Sequence, residues 1–99
     1  MNRVWFLPAA LADVRVAVRW YGAEQRGLGD DFVSDVEKAI DQILAFPEAY
    51  PAVHRGVRRH LGERFPHCLY YRVEGNGVVV IALLHAARDP EGHRERWSG

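Results

Sequence analysis

The sequence predicts an α+β fold: a helical hairpin on one face of a small, mainly antiparallel four-stranded sheet, in the order β-α-α-β-β-β. Three observations carry this expectation. Apolar residues recur at helical spacing on both sides of Gly27-Leu28-Gly29. Residues 63–74 alternate with the period of a strand. Gly75-Asn76-Gly77 then leads into seven consecutive apolar residues, Val78 to Leu84. A chain of 99 residues reads as one domain over 1–99, since two halves would each be too short to close a core.

Val4 to Leu7 is a short apolar run stopped by Pro8, and is expected to be an edge strand. Pro8 suits the first turn of a helix. Leu11, Val14, Val18 and Tyr21 form the buried stripe of that helix, while Asp13, Arg15, Arg19 and Arg26 face elsewhere. Val16 and Trp20 lie one turn apart off the stripe; they either widen the core face or form a partner-binding flank.

Asp30 and Asp31 stand where a second helix begins, favourably placed against its N-terminal partial positive charge. Phe32, Val36, Ala39, Ile40 and Ile43 make its buried stripe, and Pro47 and Pro51 bracket its exit. So short a connection makes the two helices an antiparallel hairpin. Val57 to Leu61 is the next strand. In the alternating segment Phe65, His67, Leu69, Tyr71 and Val73 share one face, and Arg64, Pro66, Cys68, Tyr70 and Arg72 the other. Gly75-Asn76-Gly77 is a tight hairpin turn requiring positive φ. No strand-to-helix switch surrounds it, which excludes a nucleotide-binding glycine loop. The run 78–84 suits a central strand covered on both faces. The tail from Ala87 is polar and arginine-rich, with Trp97 its one large apolar residue.

The apolar content of 48% against 26% charged residues excludes disorder. Thirteen basic and thirteen acidic groups cancel, yet they are unevenly spread. Residues 1–50 hold five basic groups against eight acids; residues 51–99 hold eight arginines against five acids. The two halves should therefore offer different surfaces. Cys68 is the only cysteine, so no intrachain disulfide or thiolate cluster can form, and a reducing cytoplasm fits best. No apolar run approaches the length of a membrane span, and Pro8 and Asp13 interrupt the N-terminal run too early for a secretory signal.

Five histidines, His54, His60, His67, His85 and His93, show none of the usual metal-ligand spacings, so no metal and no other cofactor is expected. Ser34 and Ser98 are the only serines, and neither sits where a nucleophile would be activated. What remains is an arginine–aromatic concentration. Arg55, Arg58, Arg59, Arg64 and Arg72 stand with Tyr70 and Tyr71 against Glu63 alone, and Arg88, Arg94 and Arg96 follow. Such groups can hold phosphates and stack bases on an open sheet, or can meet the acids of a protein partner. His85, at the end of the apolar strand and three residues before Arg88, is open to two readings. It is either a general acid or base in phosphodiester cleavage or a histidine that hydrogen-bonds the backbone of a turn.

These residues together resemble the RelE/ParE family. The likeness rests on Ala12-Asp13 with Trp20-Tyr21, Phe32, Phe46-Pro47, Val57-Arg58-Arg59, Phe65-Pro66, Tyr70-Tyr71-Arg72-Val73 and His85-Ala86-Ala87-Arg88-Asp89-Pro90. They occur in the family's order over nearly the whole chain. The resemblance implies a cytoplasmic toxin of a type II toxin-antitoxin system, arresting growth until its antitoxin masks it. The partner it implies is an acidic, partly disordered antitoxin encoded nearby. Two targets follow from the family: DNA gyrase, poisoned by binding, or ribosome-bound mRNA, cut by an endoribonuclease. The nuclease branch relies on basic residues, often lysines, and in several members on a tyrosine near the C-terminus. Here Lys38 is the only lysine and no tyrosine follows Tyr71, which favours the ParE-like gyrase inhibitor. A nuclease would have to use Arg64, Arg72, His85 and Arg88. A binding inhibitor would use Val16 and Trp20, the Arg58-Arg59 strand and Trp97 as partner-binding surface.

Overall fold

The computed structural model of the chain describes residues 3–97, leaving the ends of the expected domain, Ser98 among them, outside the described residues. Strand β1 (Arg3–Phe6) leads into helix α1 (Pro8–Glu24) and helix α2 (Leu28–Ala45). Strands β2 (Ala52–His54), β3 (Val57–Leu61), β4 (His67–Glu74) and β5 (Gly77–His85) follow, and the chain closes with 3-10 turns over Pro90–Arg96. The sheet order is β1-β5-β4-β3-β2; β1 lies parallel to β5 and every other pair is antiparallel.

The α+β expectation holds, with one strand more than the four expected. β2 is three residues long and irregularly paired to β3, too short for alternation to show. β4 also starts at His67 rather than at residue 63. Residues 62–66 form a turn because Asp35 on α2 accepts the backbone N–H groups of Arg64 and Phe65, each at 3.2 Å.

Both aspartates expected at the start of α2 lie in its first turn. The helices approach closely at Gly29, where a Cβ would sit 2.9 Å from the Val18 carbonyl oxygen. Phe32, Val36 and Ile43 from α2 pack with Leu69, Tyr71, Val78 and Val80 of the sheet, and Val14, Val18, Ile40 and Val73 join at the margin. Each large side chain so buried contributes about 1.5–3 kcal/mol. Tyr71 is anchored by donating its hydroxyl to the Pro47 carbonyl at 2.6 Å, and burial pushes its pKa up to about 12.

The β4–β5 turn has Glu74 opposite Gly77 and a positive φ of 60° at Gly75, its first central residue. That is the pattern of a type II′ hairpin. Farther along, Tyr71 faces Val80 but Tyr70 faces Ala82, which leaves Ile81 bulged out of the ladder. The bulge reverses the strand's alternation: Val80 and Leu83 point to the helices, Ile81 and Ala82 both to the other side.

That other side is not open. Val57, Cys68, Tyr70, Ile81 and Leu84 form a second core closed by Trp97 from the C-terminal segment. Trp97 is 5% exposed and its ring lies 4.8 Å from that of Tyr70. No helix among the described residues is long and apolar enough to cross a membrane.

Candidate functional site

A groove forms where the sheet runs out of strands. The last bond between β1 and β5 is Leu7 N–H to the Val80 carbonyl, at 3.0 Å, after which Pro8 turns the chain into α1. From Ile81 onward β5 therefore has no neighbouring strand on that side, and its edge groups need partners. They receive them from two distant side chains. Asp13 on α1 accepts the Leu83 N–H at 3.0 Å, and Arg96 donates to the Ile81 carbonyl at 3.3 Å and to Asp13 at 2.7 Å.

Between α1 and this edge lies a cavity of about 820 Å³. One wall is the α1 surface bearing Ala12, Val16 and Trp20; Phe65, Pro66 and Leu83 supply its apolar floor. Val16 and Trp20 are 58% and 59% exposed, large apolar groups left facing water. His67, His85, Arg88, His93 and Arg96 make the polar end.

His67 and His85 stand opposite one another across β4 and β5, with ring centroids 5.5 Å apart. Tyr21 shares a 3.3 Å hydrogen bond with His67 Nδ1. Burial lowers the His67 pKa, the neighbouring His85 lowers it further, and Asp35 opposes both. His85 Nδ1 accepts the Ala87 N–H at 3.0 Å, so its neutral ring carries the proton on Nε2 and presents a donor. His85 thus makes the backbone hydrogen bond that one of its two sequence readings expects.

The structure gathers Val16, Trp20, His85 and Arg88 around one groove and disperses the rest of the expected site. Arg64 lies on the helix side, paired with Asp31 at 3.2 Å and set over the Phe65 ring. It was expected to share a face with Tyr70 and Arg72; the turn at 62–66 breaks the alternation that placed it there. Arg72 lies across the sheet, bonded to Glu74 and to the Trp97 carbonyl. Arg58 donates to the Tyr50 carbonyl at 2.7 Å and so secures the loop after α2. Arg59 lies beside the buried Tyr70 hydroxyl. Trp97, expected as a docking group, is buried because β5 needs a second apolar cover.

Sequence reasoning missed the contribution of Asp13, Tyr21, His67 and Arg96. Beyond the helix pattern, Asp13 and Tyr21 entered only through the family resemblance, Arg96 as one of a run of arginines, and His67 as a polar residue on an otherwise apolar strand face. Among the described residues no three His, Cys, Asp or Glu side chains come together as a metal-binding group.

The family model described as "ParE toxin of type II toxin-antitoxin system, parDE" matches residues 4–90. Among solved structures, a chain of the chromosomal ParDE TA system from P. aeruginosa superposes with a TM-score of 0.62 at 19% identity, over 86% of this chain and 96% of that one. At that identity the likeness speaks for the fold. No curated protein matches.

Proposed function

The chain belongs to the ParE toxin family of type II toxin-antitoxin systems, and from that premise we propose that it arrests growth in the cytoplasm by binding and inhibiting DNA gyrase. A cognate antitoxin, acidic and partly disordered when alone, holds it silent by covering the α1 groove with its exposed Val16 and Trp20. Burial of such an apolar patch supplies the affinity, and a segment that folds on binding can wrap it.

The observation that supports binding over RNA cleavage is that Arg64 and Arg72 lie away from His85 and Arg88. Cleavage needs a base within hydrogen-bond reach of a ribose hydroxyl and cations converging on the same phosphate. Arg64 and Arg72 instead sit on opposite sides of the sheet in ion pairs of their own. His85 has its Nδ1 occupied by the Ala87 N–H.

Induction in cells tests the reading. Primer extension on cellular mRNA should show intact message while double-strand DNA breaks accumulate. New codon-phased cuts in mRNA would reject gyrase in favour of the endoribonuclease. His85→Ala should leave toxicity largely intact, whereas loss of a general base would cost about 10²–10⁴-fold in rate.

A further inference from the structure

The polar end of the α1 groove is rich in basic side chains. It holds His67, His85, Arg88, His93 and Arg96 against a single acid, Asp13. Asp13 is not free to repel an incoming anion, because the Leu83 N–H and the Arg96 guanidinium share its Oδ2. Neutral His85 presents an Nε2 donor, as its bond from Ala87 dictates. With His67 Nδ1 engaged by Tyr21, Nε2 is the nitrogen left for a ligand. Arg88 follows in the turn closed by its own N–H on the His85 carbonyl, at 2.9 Å. The rest of the groove is apolar, bounded by Val16, Trp20 and Leu83. The complementary occupant is a segment with one apolar face and an acidic group at one end, matching the acidic partner expected above.

We propose that the antitoxin seats an amphipathic segment in this groove with an Asp or Glu carboxylate against His67, His85 and Arg88, and that docking takes up a proton at His67. The inference rests on the toxin-antitoxin reading and adds to it the recognition chemistry of the site.

The physical reason lies in what surrounds the pair. In the free protein His67 meets apolar rings (Phe32 at 5.2 Å, Tyr21 at 5.7 Å) and a second imidazole, surroundings that disfavour its charged form. The charged and titratable groups around the pair are Asp35 from α2, whose oxygens accept two backbone N–H groups, Asp13 from α1, tied to Leu83 and Arg96, and Arg88, His93 and Arg96 from the C-terminal segment. A carboxylate brought between the rings reverses the balance and favours imidazolium at His67. Affinity should then rise as pH falls, by up to about tenfold per pH unit for each proton taken up.

The test is calorimetric titration of the full chain with the protein encoded by the adjacent gene, between about pH 6 and 8. It is run in two buffers of different ionisation heat. The expected result is tighter binding at the acid end with buffer-dependent heat that reports net proton uptake. His67→Gln should remove that uptake and flatten the pH profile, whereas His85→Gln, at an exposed position, should weaken binding at every pH and leave the uptake in place. Equally tight binding at both ends of the range with no proton uptake overturns the inference while leaving the antitoxin reading intact. Uptake that persists unchanged in His67→Gln overturns it too, because the proton then goes elsewhere. No binding at any pH overturns the antitoxin reading, and the inference with it.

Discussion

Asp13 and Arg96, 83 positions apart in the chain, meet at 2.7 Å and together close the edge of β5 that β1 leaves uncovered. Their side chains are only 22% and 23% exposed. The pair fixes α1, β5 and the C-terminal segment to one another, and with them the walls of the groove.

Asp13→Ala should therefore remove an acceptor shared by Leu83 N–H and Arg96. Hydrogen bonds involving a charged group contribute about 1.5–3 kcal/mol, and a loss of that size should appear in urea denaturation. Asp13→Asn keeps a side-chain oxygen and should cost less. Equal stability of Asp13→Ala and the wild type would show that the edge finds other partners.

The helix face makes a second prediction. Ile43 is 1% exposed, and Ile43→Ala should cost about 2–5 kcal/mol. Ile40, on the same helix, is only half-buried at the margin of the core, and its truncation should cost less. The reverse ranking in unfolding free energy would contradict the orientation of α2.

Gly29→Ala places a Cβ against the Val18 carbonyl oxygen at 2.9 Å. Backbone cannot yield there as a flexible side chain would, and overpacking of this kind costs about 1–3 kcal/mol. Gly22→Ala in α1 meets nothing within 4 Å and should instead stabilise by about 0.4–1 kcal/mol. Thermal melts of the two variants should move in opposite directions.

Stability should also depend on pH through the buried histidines. His60 is 3% exposed, with Nε2 2.7 Å from Gln42 Oε1, and burial lowers its pKa as it does that of His67. Both groups bind fewer protons folded than unfolded once pH drops below the unfolded value near 6.5. Their contribution is thus complete above that value and is lost as pH falls through it. Urea midpoints should decline from about pH 7.5 to 5.5, and His60→Gln should flatten part of the slope. Glu63 acts lower, since its hydrogen bonds from Gln42 and Lys38 hold its carboxyl below the usual range. A flat profile across the upper window would refute the assignment.

Truncation at the groove bears on partner binding. Trp20→Ala removes the most exposed large aromatic group of the α1 wall. Central aromatic anchors typically carry about 2 kcal/mol or more, so antitoxin affinity should fall about 30-fold in a direct titration while circular dichroism stays unchanged. Full affinity in the variant would place the interface elsewhere.

Local periodicity was enough to determine both helices, the β4–β5 hairpin, and the face on which Leu69, Tyr71 and Val73 meet α2. Each of those depends on residues a few positions apart, whose spacing along the chain is already their spacing in space. The site depended on contacts that spacing does not encode. Counted back from the Gly75-Asn76 turn, a regular ladder would set His67 opposite Leu84; the bulge at Ile81 sets it opposite His85. Alternation likewise put Arg64 beside Tyr70 and Arg72, until two N–H groups bonded to Asp35 on α2 turned it away. Trp97 read as free surface because nothing near it in sequence marks Tyr70 as its cover. Only the closed tertiary structure decided these points, because an unpaired strand edge and a half-covered apolar face are satisfied by whichever distant side chains the fold brings to them.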